Sequence, residues 1–290
     1  MSSNKKTYWV FLMPALLVYV LSIALPILYA FIISFTNWNG FGTPEFAGIA
    51  HYVTAFNDPI FWFSVRNNVL IILVSVFVQI PLGFFLAYFL YRKLIKFPAF
   101  FESVIFFPTV LSTVIVGLLF NSIFSSSGAV EQIIKMIIND PIFRMNIYGS
   151  KDTAIVPLLF VMIWMYTGTF FIIFLANMQR LSNDMIEAAV LDGATEFQIM
   201  KNIVWPNLIP IAIVCSIFAI TGSLKSFDLI WVITEGGPSY YTEVMASVMF
   251  KHAMVYYKYG YGSAIAIITI VSGVLLIITL KKLTNKYVQE

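Results

Sequence analysis

Long runs without charged residues alternate with short polar segments along this chain. Six runs contain no Asp, Glu, Lys or Arg and are each at least 22 residues long: 7–44, 67–91, 103–130, 153–179, 202–224 and 259–280. At about 1.5 Å of rise per residue, a helix of that length crosses the roughly 30 Å of bilayer hydrocarbon. Apolar residues are continuous within each run, which excludes the alternating pattern of a β-barrel. The pattern predicts an all-α polytopic membrane protein, a single domain over residues 1–290, with six transmembrane helices at about 8–35, 67–91, 103–124, 153–177, 208–233 and 261–280.

Composition supports the same class. Hydrophobic residues make up 60% of the chain and charged residues 11%, which is outside the range of soluble domains. The first apolar run is too long for a secretory signal and has no small-residue cleavage site, so we expect an uncleaved first helix. Pro14 and Pro26 predict a kink or an irregular turn within it. The lone Cys215, and His51 and His252 far apart in sequence, predict no disulfide and no metal site.

Basic residues indicate the orientation, because Lys and Arg favour the cytoplasmic side. The side that holds both termini collects ten of them: Lys5, Lys6, Arg92, Lys93, Lys96, Arg180, Lys201, Lys281, Lys282 and Lys286. The opposite loops collect six: Arg66, Lys135, Arg144, Lys151, Lys251 and Lys258. We therefore expect both termini, and the polar loop 178–207, in the cytoplasm. The net charge of +3 then reflects membrane topology and gives no reason to expect nucleic acid.

The loop 178–207 is the one long polar segment between two apolar runs on that side. Ser182 or Asp184 can begin a two-turn helix, and Gly193 can end it. A second helix over 195–204 is expected to stop at Pro206. Small side chains at Ala188 and Ala189 leave a shallow face on which another protein can sit. Glu187, near the helix start, is free to pair with a partner's cation.

This loop resembles the EAA motif of permease subunits of binding-protein-dependent ABC importers. That motif reads E-A-A, three residues, G, nine residues and I-x-L-P, and the chain departs from it once, with Trp205 at the Leu position. The resemblance implies the type I importer permease fold, with a coupling-helix hairpin seated on an ATPase subunit. The residues that would carry the coupling are Glu187, Ala188, Ala189, Asp192, Gly193, Ile203 and Pro206.

A second match narrows the family. The segment 227–234, followed by Gly236-Gly237-Pro238, is similar to the segment after the fifth conserved span of carbohydrate permeases. The resemblance implies a second, different permease subunit, two ATP-binding subunits that hold ATP and Mg, and an extracytoplasmic sugar-binding protein. It also implies a bacterial inner membrane location and no cofactor on this chain.

Residues in the fourth and fifth spans could contact a sugar, because aromatic faces cover its CH surface while hydroxyl and amide groups bind its OH groups. By similarity to sugar permeases, the expected contacts are Trp164, Met165, Tyr166, Thr169, Gly222, Ser223 and Ser226. Helix packing competes as an explanation for such small and hydroxyl residues. Lys225 and Asp228 lie three residues apart, and either pair with each other or bind ligand.

Two other functional classes compete with an importer subunit. An ion-coupled secondary transporter or channel would work without an ATPase, but it needs intramembrane acidic residues, and Asp228 alone is available. An intramembrane enzyme lacks support, since the spans show no zinc spacing, no G-x-S-x-G and no convincing acid pair. The chain has no G-x-x-x-x-G-K-[ST] sequence, so any ATP must be hydrolysed by another chain.

Overall fold

The computed structural model describes residues 5–125, 127–145 and 147–284. Lys286, which was counted on the cytoplasmic side, lies outside these residues. Backbone contacts divide the chain into two compact units, one of Met1–Phe61 with Val248–Val271 and one of Trp62–Ser247 with Ser272–Glu290. The assignment of a single domain to residues 1–290 stays a prediction.

Helices dominate the described chain. Five continuous helical stretches among the described residues are long and apolar enough to cross a membrane: Trp9–Ile33, Pro59–Tyr91, Val156–Met178, Glu196–Leu224 and Tyr259–Thr284. A sixth candidate by length and composition, Thr113–Ile138, contains two separate helices. The α-helices are α1 (Lys5–Tyr19), α2 (Leu25–Ile33), α3 (Ala50–Asn57), α4 (Pro59–Val74), α5 (Ile80–Tyr91), α6 (Pro98–Val110), α7 (Thr113–Phe124), α8 (Ala129–Ile138), α9 (Val156–Met178), α10 (Asn183–Leu191), α11 (Glu196–Ile199), α12 (Trp205–Leu224), α13 (Asp228–Thr234), α14 (Met245–Phe250) and α15 (Tyr259–Thr284). Two short antiparallel strands, β1 (Thr36–Asn37) and β2 (Glu45–Phe46), pair Thr36 with Phe46 and Asn37 with Glu45.

Three π-helical segments each end two residues before a proline. They are Val20–Ala24 before Pro26, Ser75–Gln79 before Pro81, and Met200–Val204 before Pro206. Proline has no N–H and its ring crowds the carbonyl four residues earlier, which here falls inside the π-helical segment. The wider turn relieves that crowding without ending the helix. The irregular turn expected near Pro26 is therefore a π turn, and the stretch from residue 9 to residue 33 stays helical.

Two predicted spans are interrupted, and their prediction as continuous helices was wrong. In the third, α6 ends at Val110, and Leu111 and Ser112 are extended before α7 begins. Pro108 has already removed one backbone donor from α6 just ahead of this break. In the fifth, α12 ends at Leu224 and the chain leaves helical geometry before α13. Both breaks need hydrogen-bond partners from elsewhere in the protein.

The core of the larger unit lies between α5, α9 and α12. Large side chains from all three fill it, among them Phe84, Phe174 and Leu208. Gly83 allows α5 to approach α9 closely, because a Cβ at this position would lie 2.8 Å from the Cβ of Phe170. Such small residues at helix contacts are typical of membrane proteins, in which close packing replaces the hydrophobic effect between helices.

A buried amide pair on α4 holds the irregular segments of this unit. Asn67 donates through Nδ2 to the carbonyls of Tyr241 and Glu243, both at 2.8 Å. Asn68 donates to the carbonyl of Ser223 at 2.8 Å and accepts from the backbone N–H of Met245 at 2.8 Å. Both side chains are fully buried. The end of α12 and the start of α14 are therefore fixed to the same helix.

Replacing Asn68 by Leu should lower the stability of the purified protein by about 2 kcal/mol, because a buried carbonyl and a buried N–H lose their partner. The measurement is the melting temperature in detergent, which we expect to fall by several degrees. Asn207→Leu is the matched control, since its amide bonds to Ile203 on its own helix at an exposed position. An equal fall for both variants would contradict the role of Asn68.

Candidate functional site

The loop 178–207 places α10 outside the long helices and ends it at Gly193. Gly193 has a φ of +79°, and its N–H donates to Val190 at 3.0 Å. The N–H of Ala194 donates to Ala189 at 2.9 Å. These two bonds form a Schellman motif, which satisfies carbonyls at the end of α10. A Cβ on Gly193 would meet nothing within 4 Å, so backbone conformation alone requires glycine here.

One side of α10 is anchored and the other is open. Ile186 is buried in the core cluster with Ile199 and Val204, and Ala189 packs against the same cluster. Glu187 and Ala188 are exposed, and Leu191 has 88% of its surface exposed. Of the two alanines expected to form a docking face, only Ala188 is open. Ala189 faces inward because a small side chain is needed for α10 to lie close to the cluster.

The second half of the loop departs from the expected hairpin. Thr195 begins α11 with a capping box, in which it exchanges hydrogen bonds with Gln198. The helix then continues through the π-helical segment Met200–Val204 into α12, so Pro206 does not end it. Pro206 lies in the first turn of α12, directly after the π-helical segment whose wider turn accommodates its ring. The loop therefore contains one separate helix, α10, and the N-terminal extension of a long one.

Residues of the proposed motif that are far apart in sequence come together at the end of α10. Asp192, Gly193 and Ile203 line one shallow hollow of about 270 Å³. Glu187 and Ala188 lie on the exposed face of α10, and Pro206 is exposed at the start of α12. The motif thus combines an exposed helix with the turn and the π-helical segment that hold it.

An ion pair joins this loop to the end of α5. The guanidinium of Arg92 donates to Glu196 through Nη2 at 2.8 Å and through Nε at 3.0 Å. The hydroxyl of Tyr88 donates to Glu196 Oε2 at 2.8 Å. Sequence reasoning missed this cluster, because the partners are more than one hundred positions apart. A two-bond guanidinium–carboxylate pair fixes orientation as well as distance.

A separate cavity of about 430 Å³ lies beside the break between α12 and α13. Its wall includes residues of the second span, of α9, of the end of α12 and of the break. We name it the span cavity. Five of the seven expected sugar contacts line it: Tyr166, Thr169, Gly222, Ser223 and Ser226. A Cβ on Gly222 would meet nothing within 4 Å, so this position opens into free space.

The other two expected contacts lie elsewhere. Trp164 points to another face of α9 and packs edge-on against Phe120, with ring centroids 5.5 Å apart. Met165 is buried in the apolar cluster that includes Leu229, and its carbonyl accepts from Thr109 at 3.0 Å. Consecutive positions on a helix point about 100° apart, so only part of the run 164–169 can face one cavity.

Sequence reasoning also missed Gln79 and Ser75, which line the span cavity from the second span. Gln79 is 98% buried, and its side chain has no hydrogen-bond partner among the described residues. Ser75 accepts a hydrogen bond from Ser223 at 3.3 Å. A glutamine in the middle of an apolar run is costly in a membrane and was the available signal.

Lys225 and Asp228 both line the span cavity, yet within the described part of the chain they do not form the ion pair considered from their spacing. Each lies at one end of the break, Lys225 as the cap of α12 and Asp228 as the first residue of α13. The two charged groups therefore line the cavity without neutralising each other in an ion pair. No cluster of three metal-binding side chains occurs among the described residues.

Comparison with known proteins agrees with this architecture. The family model "Binding-protein-dependent transport system inner membrane component" matches residues 79–288. The chain is similar to the probable ABC transporter permease protein YurN of Bacillus subtilis, at 34% identity over 274 residues and 93% of each chain. It is similar to the multiple sugar-binding transport system permease protein MsmF of Streptococcus mutans, at 29% identity over 98% of this chain and 97% of that one.

A solved structure supports the fold. A chain of a bacterial alginate ABC transporter, crystallised with an alginate pentasaccharide-bound periplasmic protein, superposes with a TM-score of 0.82. The superposition covers 98% of this chain and 95% of that chain, at 18% sequence identity. The likeness therefore establishes the type I importer permease fold expected from the sequence.

Replacing Arg92 by Gln should loosen the segment 183–199, because Glu196 loses both guanidinium bonds. A partly exposed pair of this kind is worth about 1 kcal/mol, which corresponds to roughly a fivefold faster amide exchange. Hydrogen–deuterium exchange measured by mass spectrometry tests this. Lys93→Gln is the control, since Lys93 is exposed next to Arg92 and forms no ion pair within the described residues. Unchanged exchange in Arg92→Gln would show that α10 is held by packing alone.

Proposed function

The chain belongs to the family of binding-protein-dependent transport system inner membrane components, and from that premise we propose that this ABC importer permease subunit carries a carbohydrate of oligosaccharide size. Because the chain belongs to this family, we set aside the alternative of an ion-coupled secondary transporter or channel. The observation that carries the cargo proposal is the span cavity. The span cavity places an aromatic ring, hydroxyls and a free amide beside a helix that starts in the loop 178–207, which we name the coupling loop.

The proposed assembly contains this chain, a second and different permease subunit, two ATP-binding subunits and an extracytoplasmic sugar-binding protein. The chain forms half of the translocation pathway. Support comes from the family's dependence on a binding protein and from the missing phosphate-binding loop in this sequence. ATP and Mg are accordingly assigned to the partner ATPase, and this chain contributes no catalytic residue.

Coupling to the ATPase is proposed to occur through α10. Its exposed side offers a carboxylate at Glu187, a small side chain at Ala188 and an apolar one at Leu191. Phe197 on α11 adds a second apolar group, with 64% of its surface exposed. An apolar patch with a charged edge is typical of a protein interface. Closure of the ATPases would move α10 as a rigid body, since Ile186 and Ala189 pack it against the core.

The cargo proposal rests on the chemistry of the span cavity. Tyr166 supplies an aromatic surface, Thr169 a hydroxyl and Gln79 both a donor and an acceptor. A few polar groups in a largely apolar cavity are typical of small-molecule sites. The relative MsmF is named for sugar transport, which agrees with this chemistry. Ser223 contributes less than expected, because its hydroxyl is already bonded to Ser75.

The proposed location is the bacterial inner membrane, with both termini and α10 in the cytoplasm. The support is the distribution of basic residues, ten on the side of the termini against six on the other.

Gly193→Val should uncouple ATP hydrolysis from uptake, because a β-branched residue at a φ of +79° strains the end of α10. We expect at least a tenfold fall in uptake, with ATP hydrolysis retained. The measurement uses the complete transporter in proteoliposomes that contain ATP, with receptor and labelled lactose, maltotriose or arabinotriose outside.

Gly193→Asn is the matched control, since asparagine tolerates the left-handed conformation, and it should keep most of the uptake. Proteoliposomes without the ATPase subunits should show no uptake of any of these sugars. Uptake without the ATPase would overturn the importer mechanism, and full transport by Gly193→Val would place the coupling elsewhere.

Gln79→Leu should weaken carbohydrate transport, because the free buried amide is the polar group best placed to bind a sugar hydroxyl. Loss of one hydrogen bond of about 1 kcal/mol predicts roughly a fivefold higher KM for the transported sugar. Gln132→Leu, an exposed glutamine on α8, is the control and should leave the KM unchanged. Equal KM values for both variants would remove Gln79 from the cargo site.

A further inference from the structure

A second and larger cavity lies within the unit of Met1–Phe61 and Val248–Val271. Its volume is about 990 Å³, more than twice the 430 Å³ of the span cavity. Its walls are the loop after the first span, the helix α3 and the residues 252–261 that lead into α15. We name it the loop cavity. Nothing in the proposed coupling or in the span cavity uses these residues.

The walls of the loop cavity are fastened to one another. The pairing of β1 with β2 sets Asn37 opposite Glu45 at the rim. The N–H of Tyr259 donates to the carbonyl of Trp38 at 3.0 Å, and their rings lie 5.5 Å apart. The hydroxyl of Tyr261 donates to Asp58 Oδ2 at 3.2 Å. The cavity is therefore formed by packed elements that are far apart in sequence.

Several groups on these walls lack a protein partner. Phe41 and Tyr257 have 79% and 56% of their surfaces exposed. Among the described residues, the side chains of Asn37, Glu45 and Lys258 form no hydrogen bond or ion pair. Open aromatic faces beside unpaired amide, carboxylate and ammonium groups suit a ligand with CH faces and many hydroxyls.

The charge of the loop cavity disfavours an acidic ligand. Glu45 and Asp58 contribute two negative charges and Lys258 one positive charge, which leaves one net negative charge. Burial of the His252 ring lowers its pKa, so this imidazole is uncharged near neutral pH. An acidic ligand would meet two carboxylates, and a cation would have no cluster of ligands, since no group of three metal-binding side chains occurs in the described part of the chain.

We propose that the loop cavity is a second carbohydrate site, which holds a neutral oligosaccharide. The loops that form it, after the first span and before the sixth, are the ones expected outside the cytoplasm from the distribution of basic residues. The inference rests on the proposed carbohydrate function. A holding site outside the membrane region would receive a longer segment of the cargo than the span cavity accommodates.

The test is saturation-transfer NMR on the assembled transporter in nanodiscs, without receptor, with maltotriose and lactose as probes. The wild-type complex should transfer saturation to at least one probe. Phe41→Ala and Glu45→Ala should each raise the half-saturating probe concentration at least fivefold. Phe46→Ala is the matched control, because Phe46 follows Glu45 on β2, is 84% exposed and does not line the cavity. Gln79→Leu changes the span cavity and should leave the saturation transfer from the loop cavity unchanged.

Each outcome of this experiment decides the proposal. Equal binding by Phe41→Ala and Phe46→Ala, or no transfer to either probe in the wild type, would overturn it. A second measurement adds the receptor: weaker receptor binding by Phe41→Ala, with no sugar transfer in the NMR experiment, would assign the loop cavity to receptor docking and would also overturn the proposal. ATP-driven uptake by the wild type is measured separately. Carbohydrate uptake with no binding at the loop cavity would therefore reject the second site and leave the proposed carbohydrate function intact.

Discussion

Backbone groups that are freed at a helix break inside a membrane must be satisfied by the protein, because hydrocarbon offers no hydrogen bonds. The break between α12 and α13 meets this constraint through Asn68, whose amide donates to the carbonyl of Ser223 in the last turn of α12. Because the break is stabilised in this way, the chain can open a cavity there without losing the helices on either side. The cargo site proposed at that break therefore depends on an amide that does not line it.

In the coupling loop, too, some residues hold the structure in place while others stay open to a partner. Ile186, Ala189 and the Glu196–Arg92 pair hold α10, while Glu187, Ala188 and Leu191 remain open. A docking surface that must transmit force needs both sets, since an exposed helix without anchors would move independently of the core. The motif in the sequence contains members of both sets, and only the structure separates them.

The number of membrane helices and the turn at Gly193 could be predicted from sequence, because both depend on local signals. Charge-free runs have to be long enough to span the bilayer, and Gly193 at a helix end needs no distant partner. The breaks at 111–112 and 225–227 could not be predicted, because helix breaks in a membrane depend on distant partners, as the second break depends on Asn68. The part of Gln79 in the span cavity was likewise missed, and Trp164 and Met165, which were expected as sugar contacts, do not line that cavity.

The helical stretch from Glu196 to Leu224 begins at the coupling loop and ends at the wall of the span cavity. Its 29 residues give a rod of about 43 Å, so a tilt of about 10° at one end displaces the other by about 7 Å. Such a rod acts as a lever, and it converts a small rotation at the loop into a displacement comparable with the width of a sugar ring. The π turn at Met200–Val204 lets this lever pass Pro206 without a joint that would absorb the motion.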